Sequence, residues 1–258
     1  MFGPMTITVA KICRYPVKGL TPEALDAVVL AAGKGLPDDR RFAIALGSTP
    51  VDGATVSWMP KSSFLTLVKH EKLAALRTRF DGTTGALVIE RNGRPVARGI
   101  ITGRLGRAVV EEFFDAYMGA EARGRLKLVE AAAGEVLSDH RTPVVSIINL
   151  ASVKDLERVT AAPVDPLRFR GNLFIAGADA WSEFGWIGNE ITVGNARLKI
   201  EERIGRCAAT NVDPEKAVRD LNIPASLQRG FRHADMGVYA TVVGGGRVAA
   251  GDAVTLAD

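Results

Sequence analysis

Cysteine and histidine, the side chains best suited to metal or thiol chemistry, are few in this chain: Cys13, Cys207, His70, His140 and His233. Structural zinc takes four such ligands, so a four-cysteine site is excluded, a site of two cysteines and two histidines nearly so, and a disulfide scaffold as well. Any metal or thiol chemistry must rest on one cysteine with outside help. Cys207 is the better placed of the two. A thiol acts as nucleophile or metal ligand only as thiolate, and the adjacent guanidinium of Arg206 favours that form. The pair follows an expected strand at 196–203, where an element ends and a site can be built; a buried structural cysteine is the competing reading. Cys13 also has an arginine neighbour, Arg14, but its alternation with apolar residues points to core packing.

The remaining charges are suited to an anion. The chain carries 33 basic and 29 acidic residues, and 23 of the basic ones are arginine. Arginine presents a rigid fork to carboxylate or phosphate, although codon bias explains the same excess. The positive charges are dispersed, which argues against a nucleic-acid polymer as partner. Gly33-Lys34-Gly35 and Gly103-Arg104-Leu105-Gly106 complete neither a P-loop nor a dinucleotide fingerprint and read as turns. Ser138-Asp139-His140 has the residue types of a catalytic triad, but sequence neighbours cannot converge as acid, base and nucleophile must, so a surface loop is expected. His70 and His233 have no partner at metal-ligand spacing.

These side chains have to be held by an apolar framework, and 47% hydrophobic against 24% charged residues is ordinary globular composition. No apolar run is long enough to span a bilayer, and Lys11 and Arg14 interrupt anything like a signal peptide. A soluble, cytoplasmic protein is expected. Strands are expected at 6–13, 25–30, 41–46, 64–69, 73–79 and 86–91, with Asp81-Gly82 turning a hairpin. Val109, Val110, Phe113, Phe114 and Tyr117 recur at helical spacing, so a helix runs from an N-cap at Thr102 to Met118. Ala131 to Gly134 reads as a linker. Beyond it come a strand at 144–149, a short helix capped by Ser152 and ending at Val159, and strands at 172–176, 190–194, 196–203, 238–243 and 247–256, punctuated by Asn189, Asn195 and Gly244-Gly245-Gly246. Many short strands and few helices suggest a closed or nearly closed barrel.

In chain order, Tyr15-Pro16-Val17-Lys18, Asp39-Arg40-Arg41-Phe42, Phe169-Arg170-Gly171-Asn172-Leu173, Trp181-Ser182-Glu183-Phe184-Gly185-Trp186, Arg206-Cys207 with Val212-Asp213-Pro214, Met236-Gly237-Val238-Tyr239 and Gly251-Asp252 resemble the motifs of MOSC proteins. That family is named for the carboxy-terminal domain of molybdenum cofactor sulfurase and includes the mitochondrial amidoxime-reducing component and its bacterial counterparts. The resemblance covers nearly the whole chain. It implies an α+β, mainly β fold: a smaller β-rich amino-terminal MOSC-associated barrel-like subdomain with a helix (1–133), then a MOSC-type β-barrel (134–258).

The resemblance also implies roles. Cys207 takes the place of the protein ligand to molybdenum, beside the dithiolene of a molybdopterin cofactor. Such a cofactor brings its own sulfurs and redox chemistry, so one cysteine suffices. Lys18, Arg40 and Arg170 match cofactor-binding positions; Asn172 and Asn149 match polar contacts; Tyr239 matches an aromatic near the metal pocket; Arg206 would hold the phosphate or the thiolate. Trp181 and Trp186 are expected to pack the barrel. Gly19 and Gly205 stand where relatives commonly have serine, and Gly171 where they have proline, so backbone N–H groups replace two hydroxyls. The implied activity is oxygen removal from small N-hydroxylated substrates by a molybdenum-cofactor oxidoreductase, with electrons from a separate protein. The alternative is a non-catalytic carrier of the cofactor, or of sulfur as a Cys207 persulfide. Pyridoxal phosphate is associated with the broader family, but nothing in the chain marks the lysine–aldimine site it needs. Two cysteines leave none for an iron–sulfur cluster.

Overall fold

In the computed structural model, which describes residues 6–256, the first strand buries residues on both of its faces. β1 (Thr8–Arg14) turns Val9 and Ile12 into one core, and Cys13 into another. β2 (Glu23–Leu25), β3 (Ala27–Leu30), β4 (Phe42–Ala45), β5 (Thr55–Val56), β6 (Leu76–Asp81), β7 (Ala86–Arg91), β8 (Arg94–Ile100), helix α1 (Arg104–Met118) and β9 (Lys127–Ala131) follow. The second half contributes β10 (Val145–Asn149), α2 (Leu150–Thr160), β11 (Leu173–Ala176), β12 (Glu190–Val193), β13 (Ala196–Gly205), α3 (Ile223–Phe231), β14 (Asp235–Gly244), β15 (Gly246–Ala249) and β16 (Val254–Leu256). No helix among the described residues is long and apolar enough to cross a membrane.

Eight strands form one sheet in the order β16-β12-β13-β14-β10-β11-β1-β2. Only the β10–β11 pair within it is parallel. The sheet curls towards a barrel, because β1 also reaches back to the segment before β16: Thr8 bridges Ala253, and the Val9 N–H donates to the Asp252 carbonyl at 2.9 Å. Inside the curl lie Ile147, Leu173, Ile175, Leu198, Ile200 and Val238, all fully buried. Beside it stand the β15–β3 pair, the sheet β4-β9-β5 and the meander β6-β7-β8. The meander turns at Asn92-Gly93, both at positive φ (53° and 72°), as a two-residue hairpin requires. α1 buries Val110, Phe114 and Met118, spaced by four residues, against Phe42, Leu87 and Ile89. The fold is thus α+β, as the sequence implies.

Several expected elements change. Residues 64–69 keep one strand-like bond, from the Leu65 N–H to the Ile44 carbonyl. The Thr66 carbonyl then accepts from both Lys69 and His70 and curls the chain away. Of the stretch read as a linker, Ala131–Gly134, only Ala131 is strand, the last residue of β9, which pairs with β4 and β5. The sequence pattern predicts no element at β5, β8 or α3. α1 starts after Gly103 with no side-chain cap, not at Thr102. α2 is capped by Asn149, whose Oδ1 accepts from the Ala151 N–H at 3.0 Å, and Ser152 lies inside its first turn. Gly244-Gly245-Gly246 does not turn a hairpin: β14 pairs with β10 and β13, whereas β15 crosses to β3, so 247–256 is two strands in two sheets. The expected boundary at 133/134 falls between β9 and β10, yet β1 and β2 are hydrogen-bonded into the carboxy-terminal sheet.

Candidate functional site

Loops from both halves of the sequence converge at one end of the barrel. The turn after β1 supplies Lys18 and Gly19, and the approach to β4 supplies Asp39 and Arg40. A short 3-10 turn, Lys61–Ser63, supplies Lys61; the loop before β10 supplies Asp139; the loop before β11 supplies Arg168, Arg170 and Asn172. Arg206 and Cys207 follow β13 directly, and Tyr239 projects from β14. Together they line a cavity of about 220 Å³. Six basic side chains, at 18, 40, 61, 168, 170 and 206, face it against two carboxylates, Asp39 and Asp139.

The cations are not equally paired. Lys18 is buried and donates to Asp139 Oδ1 at 2.6 Å and to the Leu137 carbonyl at 2.9 Å. Burial lowers its pKa, and Asp139 offsets this only in part. Although burial acts the other way, Lys18 and then Lys61 hold the Asp139 carboxyl below its ordinary range. Burial would also lower Lys61, but Asp139 and the Cys207 thiol raise it. Arg40 bonds Asp39 at 2.5 Å and the Arg170 carbonyl at 2.7 Å. Arg168 is fixed by Asp213 and Asp220. Arg170 and Arg206 have no carboxylate partner among the described residues. Arg170 donates to the Leu20 carbonyl at 2.7 Å; Arg206 donates to the carbonyls of Met236 and Phe169. Burial pushes both guanidiniums down to about 10. A buried cation with only carbonyl partners carries uncompensated charge. Two of them facing one cavity make it electrostatically suited to an anion.

Cys207 is half-buried on the cavity wall, whereas Cys13 is fully buried and desolvation pushes its thiol up to about 11. The two thiols therefore differ as their sequence contexts imply. Tyr239 lies beside His140, ring centroids 5.1 Å apart, and burial raises its hydroxyl pKa. Asn172 reaches the wall, but its Oδ1 accepts from the N–H and the hydroxyl of Ser146, and its Nδ2 donates to the Cys13 carbonyl. It ties three strands of the sheet together. Asn149 is not brought to the cavity. It caps α2 and donates to Glu183 and to the Asp179 carbonyl, each at 2.8 Å.

Two glycines explain departures from the family pattern. Gly19 sits at φ +84° with the Leu65 carbonyl oxygen 2.8 Å from where a Cβ would stand, so the turn that presents Lys18 excludes serine. A Cβ at Gly171 would run into Ile148. At Gly205 the nearest obstacle to a Cβ is Asp235 Oδ1 at 3.8 Å, and nothing in the structure demands glycine there.

Lys61, Asp39, Asp139 and Arg168 were not among the expected site residues. Asp39 stands beside Arg40 in its motif, and Asp139 was visible but assigned to a surface loop. Lys61 lies in an unpatterned stretch and carries no sequence signal. Among the described residues no group of three or more His, Cys, Asp or Glu side chains is placed to hold a metal ion.

Residues 6–122 match the MOSC N-terminal beta barrel domain and residues 136–255 the MOSC domain. Over 122 residues the chain is 27% identical to mitochondrial amidoxime-reducing component 1 of Mus musculus, covering 47% of this chain and 35% of that protein. The Homo sapiens protein of the same name is 32% identical over 89 residues (34% and 26%), and mitochondrial amidoxime reducing component 2 of Bos taurus 30% over 122 residues (43% and 36%). The matches span between about a quarter and about a third of the length of these curated relatives. The solved YUAD protein of Bacillus subtilis superposes over 99% of this chain and 98% of its own at 12% identity and a TM-score of 0.47. With both of its domains matched in order, the chain belongs to the MOSC family.

Proposed function

We propose that the protein binds molybdenum cofactor in this cavity and reduces small N-hydroxylated compounds, with electrons delivered by a separate protein. The observation that carries the reading is the pair of buried guanidiniums, Arg170 and Arg206, left without carboxylates beside a half-buried cysteine. That donor set fits a ligand combining a phosphate with a thiophilic metal. Arg170, Arg206, Arg40 and Lys18 would hold the phosphate, and Cys207 would be the protein ligand to molybdenum. Bound there, the cofactor would supply a metal centre able to take an oxygen atom from substrate in a two-electron exchange. Asp139 and Lys61 stand at the cavity wall, paired with one another, and Lys61 brings a positive charge to the side of the cavity that holds Cys207. Tyr239 and Phe169 add aromatic surface to the same wall.

The names of the amidoxime-reducing relatives support the substrate class. The test is molybdenum and pterin content of protein made in a host that synthesises the cofactor. About one molybdenum per chain is expected, with Cys207→Ala losing most of it; absence of molybdenum from the unaltered protein overturns the reading. Benzamidoxime reduction with a suitable donor then separates an enzyme from a cofactor carrier. A persulfide on Cys207, seen by mass spectrometry, would instead mark a sulfur carrier.

A further inference from the structure

Behind the cavity wall, and not lining it, lies Tyr15. The side chain is completely buried and its hydroxyl has no hydrogen-bond partner among the described residues. It is the ring that ties this residue to the cations of the cavity. Two guanidiniums lie over that ring, Arg40 and Arg170, each with its central carbon 4.3 Å from the ring centroid. The backbone ties the same residues into a closed circuit. The Tyr15 N–H donates to Asp39 Oδ1 at 2.8 Å, and the Tyr15 carbonyl accepts from the Arg40 N–H at 2.7 Å. Asp39 Oδ2 accepts from Arg40 Nη1, and Arg40 Nη2 donates to the Arg170 carbonyl. Both arginines adopt left-handed backbone conformations, φ 48° and 51°, an uncommon geometry for arginine that the surroundings have to maintain.

The two guanidiniums repel one another, and only Arg40 is paired with a carboxylate, Asp39. The negative face of an aromatic ring offsets that repulsion, and more so where water is excluded. An aliphatic side chain would fill the same space without offering that face. We infer that the Tyr15 ring is the platform holding the Arg40 and Arg170 guanidiniums together as one receptor for a phosphate group, which makes Tyr15 a positioning residue of the pocket. The inference rests on the reading that this cavity receives the phosphate of its ligand.

The test uses the full chain free of cofactor, titrated with inorganic pyrophosphate by calorimetry. Tyr15→Phe keeps the ring and is expected to bind within about twofold of the unaltered protein, whereas Tyr15→Leu is expected to bind about tenfold more weakly. Phenylalanines carrying one, two and three fluorines at position 15 keep the shape and drain the ring face. Affinity should fall stepwise with each fluorine, and this series decides the matter if Tyr15→Leu does not fold. Val153→Ala, in the same core cluster, should lose stability while keeping its affinity. The inference is overturned if Tyr15→Leu or the fluorinated series binds like the unaltered protein. It is equally overturned if Val153→Ala loses affinity alongside Tyr15→Leu, or if the unaltered protein does not bind pyrophosphate. Molybdenum content is scored separately: a chain that binds pyrophosphate through Tyr15 but never acquires molybdenum overturns the cofactor reading and leaves this one standing.

Discussion

Glycine 19 and glycine 205 look alike in sequence, since both replace a serine of the family pattern, but the structure makes opposite demands on them. At Gly19 the backbone is left-handed and a carbonyl oxygen blocks the Cβ; at Gly205 there is room. Gly19→Ser is expected to cost about 1–3 kcal/mol of stability and Gly205→Ser no more than about 0.5 kcal/mol, as read from urea denaturation midpoints. Equal losses would refute the distinction. At this scale the sequence was informative wherever chemistry and neighbour coincide. Arg206 beside Cys207 marked the thiol on the cavity wall, and the alternation around Cys13 marked the one that is buried. It was silent on pairing. Lys18 bonds a carboxylate at position 139, and Arg170 a carbonyl at position 20, partnerships that exist only once distant loops have met. Asn149 shows the converse: a residue matched to the cofactor by resemblance is occupied by its own helix.

Elements legible in the chain were those whose burial is one-sided. Alternating β12 and β13 and the apolar stripe of α1 announce themselves. α3 does not, because Ile-Pro-Ala-Ser-Leu-Gln-Arg-Gly-Phe holds a proline and a glycine in nine residues. The proline falls in the first turn, where its missing N–H is harmless. β9 was hidden beside an alanine run and is a strand because two others flank it. The joint between β10 and α2 carries the prediction that belongs at this scale. Glu183 is fully buried, and its carboxyl binds Asn149 Nδ2 and the Ser152 hydroxyl. Desolvation raises its pKa, with those hydrogen bonds opposing. Its folded value therefore exceeds its unfolded one. The stability it contributes is fully present below the ordinary carboxylate range and is lost as pH rises through the elevated value. The unaltered protein should lose stability across that window, and Glu183→Gln should flatten the slope. Parallel pH–stability curves for the two proteins would count against it.

For the molecule as a whole, the boundary that reads naturally in the sequence is not where the hydrogen bonds divide. β1 and β2 complete the sheet begun by β10 and β11, and β3 pairs with β15. A fragment of residues 134–258 would leave β15 unpaired and one edge of β11 open, with Leu173, Ile175 and Val248 deprived of core neighbours. It should show no cooperative thermal transition by circular dichroism, and adding residues 1–133 as a separate chain should restore one. A sharp transition in the isolated fragment would refute this. The curled sheet itself was expected from the number of short strands, but which strands close it depends on pairings too far apart to be read locally.

The docking of β1 bears on how the protein comes into being. Cys13 receives its hydrogen bond from Asn172, 159 positions later. During synthesis β2 can cover one edge of β1 early, but the other edge of this partly apolar strand must wait through the making of most of the chain before β11 exists. At about 5–20 residues per second, that wait lasts from several seconds to half a minute. Slowed translation or a shortage of chaperones would thus fall first on β1, as aggregation of nascent chains rather than as any defect of the cavity.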